Sequence, residues 1–112
     1  MIKVDVRRNQ EGRIHIVTIK GHADAGPHGY DLICAGVSAV SFGSLNAIQS
    51  LTGLELNVKQ GDQGGFLRCD VPMDIQPEHQ EKVQLLLEGM IVSLRTIEAS
   101  YGEHIQIDDH GR

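Results

Sequence analysis

Apolar and polar residues alternate from the first positions of the chain. Ile2, Val4 and Val6 are interleaved with Lys3, Asp5 and Arg7, which predicts a half-buried β-strand. Asn9 to Gly12 has the composition of a hairpin turn. Arg13 to Lys20 then carries Ile14, Ile16, Val17 and Ile19, apolar on both faces and rich in β-branched residues. That run predicts a central strand or one with a bulge near Ile16 and Val17. Ala23 to Tyr30 holds two glycines and a proline, so a loop is expected there. From Leu32 to Leu51 the period becomes helical, with Ile33, Val37, Val40, Leu45, Ile48 and Leu51 on a broad apolar face and Gly53 as the stop. Gly36, Gly43 and Ala47 form a second line of small residues, which predicts close packing on another helix.

Alternation returns at Leu54, Leu56 and Val58, predicting a third strand. Gln60 to Gly65 is a glycine-rich hairpin, and Phe66 to Val71 a fourth strand. Pro77 suits the first turn of a second helix, where its missing N–H costs little. Val83, Leu86, Leu87, Met90, Ile91, Leu94, Ile97 and Tyr101 then keep helical spacing up to Gly102. Ile105 and Ile107 make a short last strand, with Asp108 to Arg112 expected to fray. The order ββαββαβ predicts an α+β domain: an antiparallel or mixed five-strand sheet with two long helices on one face. Beyond two weak ββα halves there is no internal repeat.

Length and charge narrow the function. A chain of 112 residues suits a single domain, and 40% apolar residues can fill one core. With only 4% aromatic residues that core must be mostly aliphatic. A formal charge of −5 argues against a broad nucleic-acid surface and suits a basic peptide partner. Two cysteines, Cys34 and Cys69, are too few for a disulfide framework, and no signal peptide is expected ahead of the first strand. No apolar run is expected to reach the roughly 20 residues that span a bilayer. These features predict a reduced, cytoplasmic protein without membrane contact.

The chemistry concentrates between Gly21 and Ser38, G-H-A-D-A-G-P-H-G-Y-D-L-I-C-A-G-V-S. A nucleophilic cysteine needs a base in reach and surroundings that favour the thiolate. The N-terminus of a helix supplies part of this through unpaired N–H groups and the macrodipole. Asp31 fits the N-cap of the predicted helix, which puts Cys34 at the third helical position. His22 lies just past the end of a strand that can hold it. These residues form a candidate Cys–His site. Asp31 could cap the helix, orient His22, or do both. Ser38 lies one turn beyond Cys34 on the same face and is site-adjacent or simply packed. Cys69 alternates with Leu67 and Val71 and is expected in the core. His28 is a rival base, whereas His15, His79, His104 and His110 have the settings of ordinary surface or turn residues.

This stretch resembles the signature of the Prp ribosomal-processing cysteine proteases. The match runs through Gly21, His22, Ala23, Gly26, Asp31, Ile33, Cys34, Ala35, Val37 and Ser38. Gly36 departs mildly from it, standing where many relatives would carry alanine. The resemblance extends to size and element order over nearly the whole chain. It implies His22 as general base and Cys34 as nucleophile of a cysteine endopeptidase. The implied substrate is the short N-terminal extension of a large-subunit bacterial ribosomal protein, cut after an aromatic residue. It also implies a homodimer, which the apolar Leu85 and Val92 outside the main stripe of the second helix would suit.

Further expectations attach to that site. Gly26 and Gly29 would let the Ala23–Tyr30 loop act as a substrate-gating lid. Backbone N–H groups near Ile33 and Cys34 are expected to hold an oxyanion. No cofactor is expected. A phosphate loop is disfavoured by the missing lysine and by Asp31, and a zinc site by the absence of paired ligand spacings. Two other classes stay open: a non-enzymatic ribosome-assembly or peptide-binding module, and a thiol redox sensor built on Cys34.

Overall fold

A computed structural model describes residues 1–23, 31–62 and 64–111. Its elements are β1 (Ile2–Arg8), β2 (Ile14–Lys20), α1 (Leu32–Thr52), β3 (Asn57–Gln60), β4 (Phe66–Asp70), α2 (Pro77–Tyr101) and β5 (Ile105–Asp109). The expected ββαββαβ order is therefore observed. The five strands form one sheet in the order β3-β4-β2-β1-β5. All pairings are antiparallel except β1 with β5, so the sheet is mixed. β2 is interior, as its two-sided apolar content predicts.

The alternation of β1 works as expected: Ile2, Val4 and Val6 are buried while Lys3 and Arg7 are exposed. In β2 the register against β1 shifts between Arg7, opposite Ile16, and Arg8, opposite Ile14. The additional residue is His15, just before the position expected for a bulge. It explains why Ile14 and Val17, an odd number of residues apart, are both buried. The third strand is shorter than predicted. Leu54–Leu56 alternate by sequence, but pairing with β4 begins only at Asn57, opposite Asp70.

Both helices close the core. α1 buries Ile33, Val37 and Ile48; α2 buries Val83, Leu87, Met90, Ile91 and Leu94. By length and composition α1 is long and apolar enough to cross a membrane, contrary to the expectation that no run reaches that length. Its buried face instead meets α2 and the sheet as a core helix. The small-residue line divides: a Cβ on Gly36 would lie 3.8 Å from Ile97 Cδ1, but one on Gly43 would meet nothing within 4 Å. Gly43 and Ala47 face a surface groove shared with Leu86 and Gly89 of α2. Tyr101, placed on the apolar stripe by spacing, is 52% exposed at the last position of α2.

The C-terminal residues up to Gly111 are built into the fold rather than frayed. Arg8 has a side chain only 2% exposed and faces two carboxylates. Its guanidinium donates to Glu88 of α2 at 2.6 and 2.9 Å and to Asp109 of β5 at 2.8 and 2.9 Å. These two forks join β1, α2 and β5, and paired N–H donors match a carboxylate's geometry. Arg8→Ala would leave the Asp109 carboxylate buried beside an empty space. Such losses cost about 3–5 kcal/mol, so urea denaturation of this variant should show a fall of that order, with Arg7→Ala near wild type.

Candidate active site

Each end of the site is set by local backbone chemistry. Asp31 is the N-cap of α1, with φ −82° and ψ 103°. One of its carboxylate oxygens, Oδ1, accepts from the N–H groups of Ile33 and Cys34, both at 3.0 Å. The capping role expected of Asp31 is thus present, and Cys34 is the third helical residue. The same bonds correct the expectation for the oxyanion: the Ile33 and Cys34 amides are already engaged by Asp31. The described amide that points at the sulfur belongs to Ala23, whose N–H lies 3.3 Å from Cys34 Sγ.

His22 arrives from the other side. The β2–β4 ladder ends with Lys20 opposite Phe66, and one further bond, Gly21 N–H to Gly65 O at 2.8 Å, extends it. Gly21 has φ +97°, and a Cβ there would be driven into the Met1 carbonyl. Only glycine permits that turn, and it is this turn that carries the chain from the strand to His22. Ala23 follows, 2% exposed, its carbonyl 2.9 Å from His104 Nδ1. Since a carbonyl can only accept, the ring nitrogen donates, which fixes the proton of a neutral His104 on Nδ1.

His22 and Cys34 both line one cavity of about 380 Å³, together with Ser38. Ile2, Ile19, Val37, Phe42, Phe66 and Leu67 give it an apolar wall, and Gln60, Gly61 and Gly65 bring in the β3–β4 hairpin. The structure therefore unites His22, Cys34 and Ser38 at one cavity, with Asp31 bonded to the Cys34 amide at the start of α1. Gly26, Gly29 and the rival base His28 lie outside the described residues. Three contributors were not anticipated: Ala23, His104 and the hairpin glycines. His104 follows an apolar helix by a turn, and nothing local distinguishes it from a surface histidine. The hairpin's glycine content was visible, but not the element it packs on.

The second cysteine has a different environment. Cys69 is 2% exposed on β4, between Leu67 and Val71, as its alternation predicts. Burial pushes its thiol up to about 12, with the neighbouring Asp70 charge adding to the effect. Among the described residues no cluster of three metal-ligating side chains occurs.

Comparison with known proteins extends this picture. A family model described as cysteine protease Prp matches residues 1–106. The ribosomal processing cysteine protease Prp of Bacillus subtilis is 43% identical over 107 residues, 96% of either chain. That of Staphylococcus aureus is 42% identical over 108 residues, 96% of this chain and 98% of the other. Among solved structures, the S. aureus Prp with a covalently linked product peptide superposes with a TM-score of 0.88 at 42% identity, covering 97% of this chain and 99% of that one. The same protease with a substrate peptide gives 0.82 at 41% identity, with the same coverage.

The two thiols should behave oppositely in the native protein. Iodoacetamide near neutral pH should add once, at Cys34, as read by peptide mapping. Cys69 should label only after denaturation, because only the thiolate reacts and burial withholds it.

Proposed function

The chain belongs to the cysteine protease Prp family, and we propose that it removes the N-terminal extension of a large-subunit ribosomal protein through a Cys34–His22 dyad. The observation that carries this reading is the shared cavity: a strand-end histidine and a helix-start cysteine line one apolar cleft. His22 takes the thiol proton, and Cys34 Sγ attacks the scissile carbonyl carbon. As the C–N bond breaks, His22 returns the proton to the leaving amine. Water, deprotonated by the same histidine, then hydrolyses the thioester and restores the thiol.

The Ala23 amide suits support of negative charge at the sulfur or at the carbonyl oxygen it attacks. Asp31 contributes by fixing the first turn of α1 rather than by neutralising charge, since a carboxylate beside a thiolate is repulsive. The apolar wall formed by Ile19, Val37, Phe42 and Leu67 supports cleavage after an aromatic residue. Ser38 borders the same cleft and would touch the bound peptide. Two cysteines outside any disulfide suit the reducing cytoplasm. The relatives described as processing ribosomal proteins, and their structures with substrate and product peptides, support the choice of substrate.

The test is direct. The protein is incubated with the N-terminally extended ribosomal protein and the products are weighed by mass spectrometry. Cys34→Ala should produce no cleavage, and His22→Ala should slow it by about 10²–10⁴. Cys69→Ala should remain within a few-fold of wild type. Turnover by purified Cys34→Ala would remove the nucleophile assignment, and wild-type binding without any cleavage would favour a peptide-binding module.

We further propose a homodimer. Leu85 and Val92 on α2 are 73% and 64% exposed, apolar area that a second copy would cover. Sedimentation at micromolar concentration should give twice the monomer mass; a monomer there rejects the assembly.

A further inference from the structure

The β3–β4 hairpin approaches His22 more closely than any side chain would allow. A Cβ built on Gly65 would lie 2.7 Å from His22 Nε2, 3.1 Å from Cε1 and 3.4 Å from Cδ2. The Nε2 end of the imidazole therefore occupies the space where other residues carry a side chain. Gly65 has φ +73°, and its carbonyl accepts the Gly21 N–H immediately before His22. One glycine thus fixes the backbone that carries the histidine and packs against its ring.

We propose that Gly65 is a positioning residue for His22, so that the β3–β4 hairpin is a working part of the site and not only its rim. The inference rests on His22 serving as the base. A base must sit within hydrogen-bond reach of the proton it takes, and a displacement of about 1 Å can cost about 10²-fold in rate. A methyl at Gly65 must move either the ring or the hairpin. The ring is the softer of the two, because the hairpin is tied through the Gly21 bond and the β4 ladder.

The experiment compares Gly65→Ala with Gly53→Ala. Gly53, the C-cap of α1, has φ +75°, and a Cβ there meets nothing within 4 Å. Both variants carry the same left-handed backbone strain, and only Gly65→Ala collides with His22. Gly53→Ala should lose stability and keep its activity. Gly65→Ala should lose about 10²-fold in kcat with KM nearly unchanged. The pH dependence of Cys34 alkylation by iodoacetamide should also change in Gly65→Ala, since a displaced imidazole alters the proposed pairing of base and thiol. This readout needs no peptide, so it distinguishes a failure of the positioning role from a failure of the protease assignment.

A double-mutant cycle keeps the proposal testable if Gly65→Ala folds poorly. The excess loss of Tm in Gly65→Ala over Gly53→Ala should disappear in a His22→Ala background, where the ring it strikes is gone. Equal kcat and equal alkylation profiles for the two alanine variants would overturn the proposal. So would an excess loss of Tm that persists without the His22 ring.

Discussion

The contact between the Ala23 amide and the Cys34 sulfur joins the two elements on which the site depends. Ala23 lies three residues beyond the end of β2, and Cys34 lies in the first turn of α1. Neither could hold the other without being held itself. Ala23 is buried and its carbonyl is engaged by His104, beyond the end of α2. Cys34 is fixed by the Asp31 cap, which sets the rotation of the first helical turn. Strand, helix and the β5 approach therefore converge on one sulfur, each through a bond between a side chain and a backbone group. A side chain held on both sides in this way keeps its position, which suits a candidate nucleophile.

The electrostatics of the two cysteines follow from where each chain segment puts them. The amides at the start of α1 would favour an anion, but two of them are spent on the Asp31 carboxylate. In the proposed dyad, support for a thiolate at Cys34 comes from the Ala23 N–H and from an imidazolium at His22. Cys69 has neither, and desolvation keeps it protonated far above neutral pH. The same side chain is a core hydrophobe on a strand and a candidate nucleophile at a helix start. Surroundings, not residue type, separate them.

What could be read from sequence was what depends on near neighbours. The alternation of β1, the helical period of α1 and α2, the Asp31 cap and the burial of Cys69 all rest on spacings of two to four residues. What could not be read rests on contacts far apart in the chain. Asp108 to Gly111 are built into the fold because Arg8, 101 residues before Asp109, grips its carboxylate. β3 starts late because its partner in β4 is exhausted at Asp70, which no pattern within Leu54–Lys59 records. The expected oxyanion donors were named from the general property of helix starts. That reasoning omitted the cap's own demand on those amides, although the same residues predicted the cap.

Gly21 and Gly65 carry this one step further. The signature around His22 includes Gly21, and the structure gives its reason: any side chain there would enter the Met1 carbonyl. Gly65 lies outside that signature, more than forty residues on, yet it too leaves no room for a side chain, its neighbour being His22. The two are joined by a hydrogen bond that continues the β2–β4 ladder past its last paired residues. A histidine beyond a strand end would ordinarily sample several rotamers. Here backbone presses on it from the hairpin, and its own strand is anchored on both sides by β1 and β4. Placing the imidazole by backbone contact costs the fold two left-handed glycines, and it removes freedom that the base of the proposed dyad could least use.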